Sequence, residues 1–140
     1  MITRAIEKAL DNKVKRGWEK TYWAFDIHET ILEPNWVKGV LPKTFYPGAK
    51  EALRLISKRE EIVSILYTCS YPDEIQDYLN YFREQDIHFD YVNENPEVEN
   101  NGIGNFDGKP YFNVLFEDKA GFDAHKDWFK VLKLLGEKNI

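Results

Sequence analysis

The stretch Thr21-Tyr22-Trp23-Ala24-Phe25-Asp26-Ile27-His28-Glu29-Thr30 decides the fold, because five uncharged residues precede a cluster of polar side chains. An aromatic run without charge is typical of a strand buried on both faces of a parallel sheet. The run predicts a strand over 21–25 that ends at Asp26. A carboxylate directly after an aromatic strand is a poor choice for a merely structural position, and this favours a functional role for Asp26.

The rest of the chain alternates between strand and helix patterns. Short runs rich in apolar residues predict further strands at 61–67, 89–92 and 111–116. Apolar residues that recur on one side predict helices at 2–16, 48–59, 72–85 and 122–137. Strands that alternate with helices indicate one α/β domain with a mainly parallel sheet in a three-layer, Rossmann-like arrangement.

Length and composition limit the class of protein. A chain of 140 residues with 43% hydrophobic residues can bury one core, and a net charge of −5 gives no indication of nucleic-acid binding. The lone Cys69 excludes an internal disulfide, which agrees with a reducing compartment. No apolar run approaches a membrane span and the first residues lack the apolar stretch of a signal peptide, so we expect a cytoplasmic protein without a membrane partner.

The first predicted helix has two features that leave its role open. Ile2, Ile6, Leu10 and Val14 form a narrow apolar stripe, which can pack internally or against a second copy in an oligomer. The first twenty residues also carry six basic and three acidic side chains. This basic surface can dock a partner, although a solvated helix face is the simpler interpretation.

Polar side chains follow three of the predicted strands, at the point where each strand ends. In an open parallel sheet, ligands bind beyond the carboxyl ends of the strands, so we expect these groups to lie along one edge. A lysine, Lys109, comes just before the fourth strand. The polar residues are Asp26 and His28 after the first strand, Thr68, Cys69 and Ser70 after the second, and Glu117 and Asp118 after the fourth.

This combination of groups suits chemistry on a phosphate ester. A carboxylate that attacks phosphorus forms an acyl phosphate, which divides a difficult hydrolysis into two easier steps. Because an anion and a phosphate dianion repel each other, a metal is needed, and Mg²⁺ binds a few carboxylate oxygens while keeping several waters. Asp26 and Asp118 could supply those oxygens. Thr68 could hydrogen-bond a phosphoryl oxygen, and Lys109 could neutralise charge on the transferring group.

The sequence resembles the haloacid dehalogenase-like hydrolases over roughly residues 20–136. Phe25-Asp26-Ile27-His28-Glu29-Thr30 is similar to their motif I, which reads Asp-x-Asp-x-Thr after an apolar strand. Thr68 falls at the position of the motif II Ser/Thr, and Lys109 resembles the motif III lysine. The segment Phe116-Glu117-Asp118-Lys119-Ala120-Gly121-Phe122-Asp123 resembles motif IV, which contains an acidic pair.

The resemblance implies a magnesium-dependent phosphatase with Asp26 as the nucleophile. It implies substrate contacts from Thr68, Cys69, Ser70 and Lys109, and metal ligation by Asp26, Glu117, Asp118 and the main-chain carbonyl of His28. Taken alone, Ser70 is more typical of an N-cap of the helix at 72–85, and Cys69 of a small buried side chain than of a nucleophile.

The resemblance also implies how open the site is. Residues 29–46 suit the family's one-turn helix and hairpin flap, with Trp36-Val37-Lys38 and Val40-Leu41 as the two sides of a hairpin around Gly39. Neither this segment nor 93–108 is long enough for a full cap domain. An open site suits a large phosphorylated substrate, such as a phosphoprotein or a nucleic-acid end, or closure by oligomerisation.

The main departure from the family is His28, which replaces its acid/base aspartate. A histidine can act as a general acid near neutral pH, which favours an active hydrolase. The alternative is a catalytically impaired module that binds phosphate or has a regulatory role. Glu117 replaces the commoner aspartate of motif IV, and Glu29 adds negative charge near the metal. A receiver-like signalling domain uses the same residue types, but its acidic pair comes first along the chain, so we disfavour it.

Overall fold

A computed structural model describes residues 1–140. The helices are α1 (Ile2–Arg16), α2 (Ala49–Ser57), α3 (Pro72–Glu84) and α4 (Asp127–Glu137). The strands are β1 (Thr21–Phe25), β2 (Ile62–Leu66), β3 (Tyr91–Val92) and β4 (Val114–Phe116). None of the helices combines the length and the apolar character that crossing a lipid bilayer requires.

The four strands form one parallel sheet in the order β3-β2-β1-β4. Phe25 at the end of β1 pairs with Leu66 of β2 on one side and with Phe116 of β4 on the other. Because β1 and β4 are parallel neighbours, their carboxyl ends lie side by side although most of the chain separates them. The prediction of an α/β fold with a parallel sheet is confirmed.

One face of the sheet carries the main core, which all four helices cover. Phe25 stacks on Phe116 with ring centroids 4.4 Å apart, and Trp128 of α4 stacks on Phe116 at 5.6 Å. Phe82 of α3 and Phe89 complete the aromatic cluster. Each fully buried side chain of this size contributes roughly 2 kcal/mol to stability. This packing fixes the ends of β1 and β4, where the candidate site lies.

The opposite face of the sheet is covered by the segment 93–113, which contains no helix. Ala24 and Ile65 on this face are buried, and the ring of Tyr22 meets that of Tyr111 edge to face at 5.9 Å. The three layers are therefore the helices, the sheet and this extended crossover between β3 and β4.

β3 and β4 lack the first residues that were predicted for them, because polar side chains take over the pairing there. β3 and β4 begin two and three residues later than the sequence pattern indicates. The Asp90 carboxylate accepts the Ser64 N–H at 2.8 Å, and the Asn113 amide oxygen accepts the Tyr22 N–H at 2.8 Å. These side-chain oxygens take the place of a backbone carbonyl in the sheet. A pattern of apolar residues does not reveal such a substitution.

The last helix begins at Asp127 rather than at 122. A 3₁₀ turn over Asp118–Ala120 ends at Gly121, whose φ of 104° redirects the chain. The buried Asp127 carboxylate then accepts the Asp123 N–H at 2.8 Å and ties the turn to the helix start.

The apolar stripe of α1 packs inward, against α4 and the β1–β4 part of the sheet. Ile2 and Ile6 are buried, but Val14 is 82% exposed, so the predicted stripe does not extend to the last turn. Gly17 ends the helix with a left-handed φ of 66°. Basic residues in the last turn stabilise the helix dipole, which accounts for part of the basic character of this segment.

Candidate functional site

Asp26 lies directly after β1, at the carboxyl edge of the sheet. Its N–H donates to the Phe116 carbonyl at 3.0 Å and extends the pairing of β1 with β4 by one residue. Glu117 and Asp118 follow Phe116 immediately. The structure therefore brings Asp26 and the acidic pair to neighbouring strand ends, as the sequence predicts.

A tight hydrogen-bonded turn follows Asp26. The Ile27 carbonyl accepts the N–H groups of Ile31 at 2.8 Å and Leu32 at 3.0 Å, and Glu29 adopts a left-handed φ of 62°. The turn stands where the resemblance implies a one-turn helix, but the left-handed Glu29 keeps it from being helical. It places the fully buried Thr30 under the acidic pair.

Thr30 joins three parts of the site. Its hydroxyl accepts the backbone N–H of Asp118 at 3.2 Å, and its carbonyl accepts the Trp128 indole N–H at 2.7 Å. The turn after β1, the start of the acidic segment and α4 are thereby held together. The sequence pattern placed Thr30 in motif I without indicating this contact.

The carboxyl edge concentrates negative charge. Burial, together with the nearby carboxylates of Glu117, Asp118 and Glu29, raises the pKa of Asp26 to about 6, against the opposing effect of the Ile27 N–H. No lysine or arginine forms an ion pair with any of these four carboxylates. A bound cation would relieve this repulsion.

The oxygen ligands at this edge suit Mg²⁺, which commonly binds one or two carboxylates and keeps several waters. Asp26 and Asp118 are the carboxylates free to act in this way, together with the main-chain carbonyl of His28. Glu117 is partly engaged, because its carboxylate accepts the Ala120 N–H at 2.8 Å. No three acidic, histidine or cysteine side chains lie close enough together to hold a metal ion by themselves.

Thr68 lies at the end of β2 and is held by a residue that the sequence analysis missed. The Thr68 N–H donates to Asn93 Oδ1, and Asn93 Nδ2 donates to the Thr68 carbonyl, both at 2.8 Å. Asn93 has a left-handed φ of 54°, which asparagine tolerates. The available signal was an asparagine directly after the third predicted strand, at the same edge of the sheet.

Ser70 is not a helix N-cap and Cys69 is not buried, although the sequence allowed both interpretations. Ser70 is not the N-cap of α3, because that position is Tyr71, whose N–H donates to the Glu74 carboxylate at 3.2 Å. The Ser70 hydroxyl instead lies 2.9 Å from Thr68 Oγ1. Cys69 is exposed rather than buried, since the chain leaves the sheet at this point.

His28 points toward α3. Its Nε2 lies 2.7 Å from the Tyr78 hydroxyl, and burial lowers the pKa of the imidazole, partly offset by Glu74 and Glu29. Burial raises the pKa of Tyr78 to about 12, so the phenol stays protonated. His28 is therefore mainly neutral at pH 7, which weakens its expected role as a general acid.

Lys109 is not brought to the other predicted residues. It is exposed and makes no hydrogen bond or ion pair with Asp26, Thr68 or Asp118. Tyr111, two residues further on, packs on Tyr22 near the amino end of β1. The crossover from β3 to β4 contains no helix, so the number of residues between Lys109 and β4 does not indicate where Lys109 lies.

The predicted hairpin around Gly39 does not form. An antiparallel bridge between Leu32 and Phe45 closes the base of this segment, but its tip is a loop. The Asn35 side chain holds the loop by accepting the Val37 N–H at 3.0 Å and donating to the Val40 carbonyl at 2.9 Å. Between this loop and α3, beside His28, lies a cleft of about 560 Å³.

Comparison with known proteins supports the fold. No protein-family model and no curated protein matches the chain. A solved structure of a conserved protein from Bacteroides thetaiotaomicron matches with a TM-score of 0.64 and 20% sequence identity, and the match covers 85% of this chain and 92% of that one. Fold and site together define a three-layer α/β protein with a cluster of carboxylates at the carboxyl edge of its parallel sheet.

Proposed function

We propose that this protein is a magnesium-dependent phosphohydrolase that acts on phosphate monoesters through an aspartyl-phosphate intermediate on Asp26. The proposal rests on one observation above all. Asp26 and the Glu117-Asp118 pair leave adjacent strands at the same edge, and no cationic side chain neutralises them.

In the proposed reaction, a carboxylate oxygen of Asp26 attacks phosphorus as the ester P–O bond breaks. The alkoxide leaves and takes a proton from water, because His28 is mainly neutral at pH 7. A second water then hydrolyses the acyl phosphate, which releases inorganic phosphate and restores Asp26. Asp26, Asp118 and the main-chain carbonyl of His28 would hold the Mg²⁺, whose charge allows an anion to approach a phosphate dianion.

Thr68 would donate its hydroxyl hydrogen to a phosphoryl oxygen. Its backbone is fixed through Asn93, which limits the motion of this loop. Because no lysine pairs with the carboxylates at this edge, less charge is neutralised in the transition state, and we expect slow turnover. An exposed thiol at Cys69 suits a reducing environment, and we propose a cytoplasmic location for the enzyme.

The second candidate function is a non-catalytic module that binds phosphate. The observation that favours it is the hydrogen bond between His28 and Tyr78, which occupies the side chain that would otherwise donate a proton. A His28→Asp variant separates the two functions. A large gain of activity over an inert parent would favour the module, and measurable activity in the parent itself would favour the enzyme.

The test is release of p-nitrophenol from p-nitrophenyl phosphate, with Mg²⁺ and with EDTA. We expect activity that requires Mg²⁺ and that Asp26→Asn abolishes. Glu60→Gln is the matched control, because Glu60 is an exposed carboxylate outside the site. Activity that survives in Asp26→Asn, or an absence of turnover across phosphorylated sugars, nucleotides and peptides, would contradict the proposal.

A further inference from the structure

The cleft beside His28 has walls of opposite chemical character. Its volume is about 560 Å³, with the His28 imidazole and the Tyr78 ring on its lining. The first two turns of α3 form an acidic wall, made of Asp73, Glu74 and Asp77. The loop of residues 34–42 forms an apolar wall, made mainly of Trp36, Val37 and Val40.

The acidic wall is only partly explained by helix stability. Asp73 and Glu74 lie in the first turn, where carboxylates stabilise the helix dipole. Asp77 lies one turn further, four residues after Asp73, a spacing at which like charges destabilise a helix. None of the three carboxylates pairs with a lysine or an arginine of the chain.

The apolar wall does not stabilise the fold, because its side chains are exposed and do not pack into the core. Trp36 is 83% exposed and has a left-handed φ of 55°, a conformation that is strained for a bulky residue. Val37 and Val40 are also exposed. Exposed apolar groups rimmed by charge are typical of binding surfaces, and tryptophan often anchors them.

We propose that this cleft binds an extended, basic segment of a protein partner. Its lysine or arginine side chains would face Asp73 and Asp77, and an apolar side chain would rest on Trp36. Charge complementarity selects this occupant, because three carboxylates face one lysine, Lys38, in the lining. The same charges repel acidic peptides and nucleic acids.

The cleft also suggests a substrate class, a step that rests on the proposed function. His28 follows Asp26 by two residues, so a segment bound beside His28 would hold a neighbouring phosphorylated side chain near Asp26. The substrate would then be a phosphoprotein with basic residues flanking the phosphorylated one.

Fluorescence anisotropy with two labelled, unphosphorylated peptides tests the binding. One peptide is rich in lysine and leucine, and in the other glutamate replaces every lysine. The unsubstituted protein is used, because an unphosphorylated peptide carries no phosphate ester to hydrolyse. We expect the basic peptide alone to bind, and Asp73→Asn with Asp77→Asn to weaken its binding roughly tenfold. Glu84→Gln, on the last turn of α3 and outside the cleft, should leave binding unchanged.

A second variant separates binding from folding. Asparagine tolerates a left-handed backbone, so Trp36→Asn should keep or raise the melting temperature while it weakens the peptide complex. Equal binding of both peptides, or undiminished binding after the Asp73 and Asp77 changes, would overturn the proposal. Self-association that those changes abolish, without peptide binding, would assign the cleft to a second copy and overturn it as well.

The experiments distinguish a failure of the proposed phosphatase activity from a failure of the proposed peptide binding. With the unsubstituted protein, phosphopeptides with basic flanks should show a lower KM than those with acidic flanks. If the basic peptide binds but no phosphopeptide is hydrolysed, the proposed function fails and the cleft assignment stands.

Discussion

The backbone N–H of Asp118 donates a hydrogen bond to the hydroxyl of Thr30 at 3.2 Å, across 88 residues of sequence. Thr30 is fully buried and also accepts the Trp128 indole N–H at 2.7 Å. This contact fixes the start of the acidic segment against the turn that follows Asp26. The separation of the two proposed metal ligands therefore depends on a buried threonine that touches neither metal nor substrate.

Replacing Thr30 by valine keeps the shape of the side chain and removes the acceptor. We expect the free energy of unfolding to fall by about 1 kcal/mol, because the Asp118 N–H loses its partner. We also expect weaker Mg²⁺ binding, measured by isothermal titration calorimetry. Thr44→Val, at an exposed threonine, is the control. Unchanged Mg²⁺ affinity in Thr30→Val would show that this contact does not position Asp118.

The raised pKa of Asp26 predicts how stability varies with pH in the absence of metal. The folded-state pKa is about 6 and the usual value is 3.8, so the folded state holds its proton more tightly than the unfolded state. The corresponding stabilisation is fully present below the usual value and is lost as pH rises through about 6. Stability in EDTA should therefore decline between these two values.

An Asp26→Asn variant should lack that decline. In urea unfolding with EDTA, the free energy of unfolding of the variant should exceed that of the parent by more at pH 7 than at pH 4. The same advantage at both pH values would mean that Asp26 titrates normally in the folded protein.

Asn93 offers a test of how Thr68 is positioned. Glycine accepts the left-handed backbone of this residue but makes no side-chain bonds, so Asn93→Gly removes only the two contacts with Thr68. We expect weaker competitive inhibition by inorganic phosphate and a loss of about 1–2 kcal/mol in stability. If phosphate inhibits parent and variant equally, the Thr68 loop does not bind the phosphate.

The bond between His28 and Tyr78 predicts a spectroscopic change. Tyr78→Phe removes the hydroxyl that lies 2.7 Å from His28 Nε2. We expect a shift of the ¹⁵N resonance of that nitrogen, together with a destabilisation of about 1 kcal/mol. Tyr71→Phe, at an exposed tyrosine, is the control, and identical His28 resonances in parent and Tyr78→Phe would argue against the contact.

Much of the fold could be predicted because the relevant signals are local. The aromatic run of 21–25 identified the central strand, and parallel strands place their carboxyl ends together. Asp26 and Asp118 were therefore predictable as neighbours from the positions of two strands alone.

The remaining features depend on tertiary contacts that no periodic pattern encodes. The direction of His28 is set by Tyr78 on a separate helix, and the path of Lys109 by a crossover without regular structure. Asn93 acts through its side-chain amide on another strand end. Such contacts have no signature in the sequence around either partner.

The most direct test of the central claim is chemical trapping of the intermediate. The protein is mixed with Mg²⁺ and saturating p-nitrophenyl phosphate, quenched during turnover, reduced with borohydride and analysed by mass spectrometry. An acyl phosphate on Asp26 is reduced to an alcohol, so we predict homoserine at position 26. Turnover with Asp26 recovered unchanged, or with homoserine at another aspartate, would contradict the account.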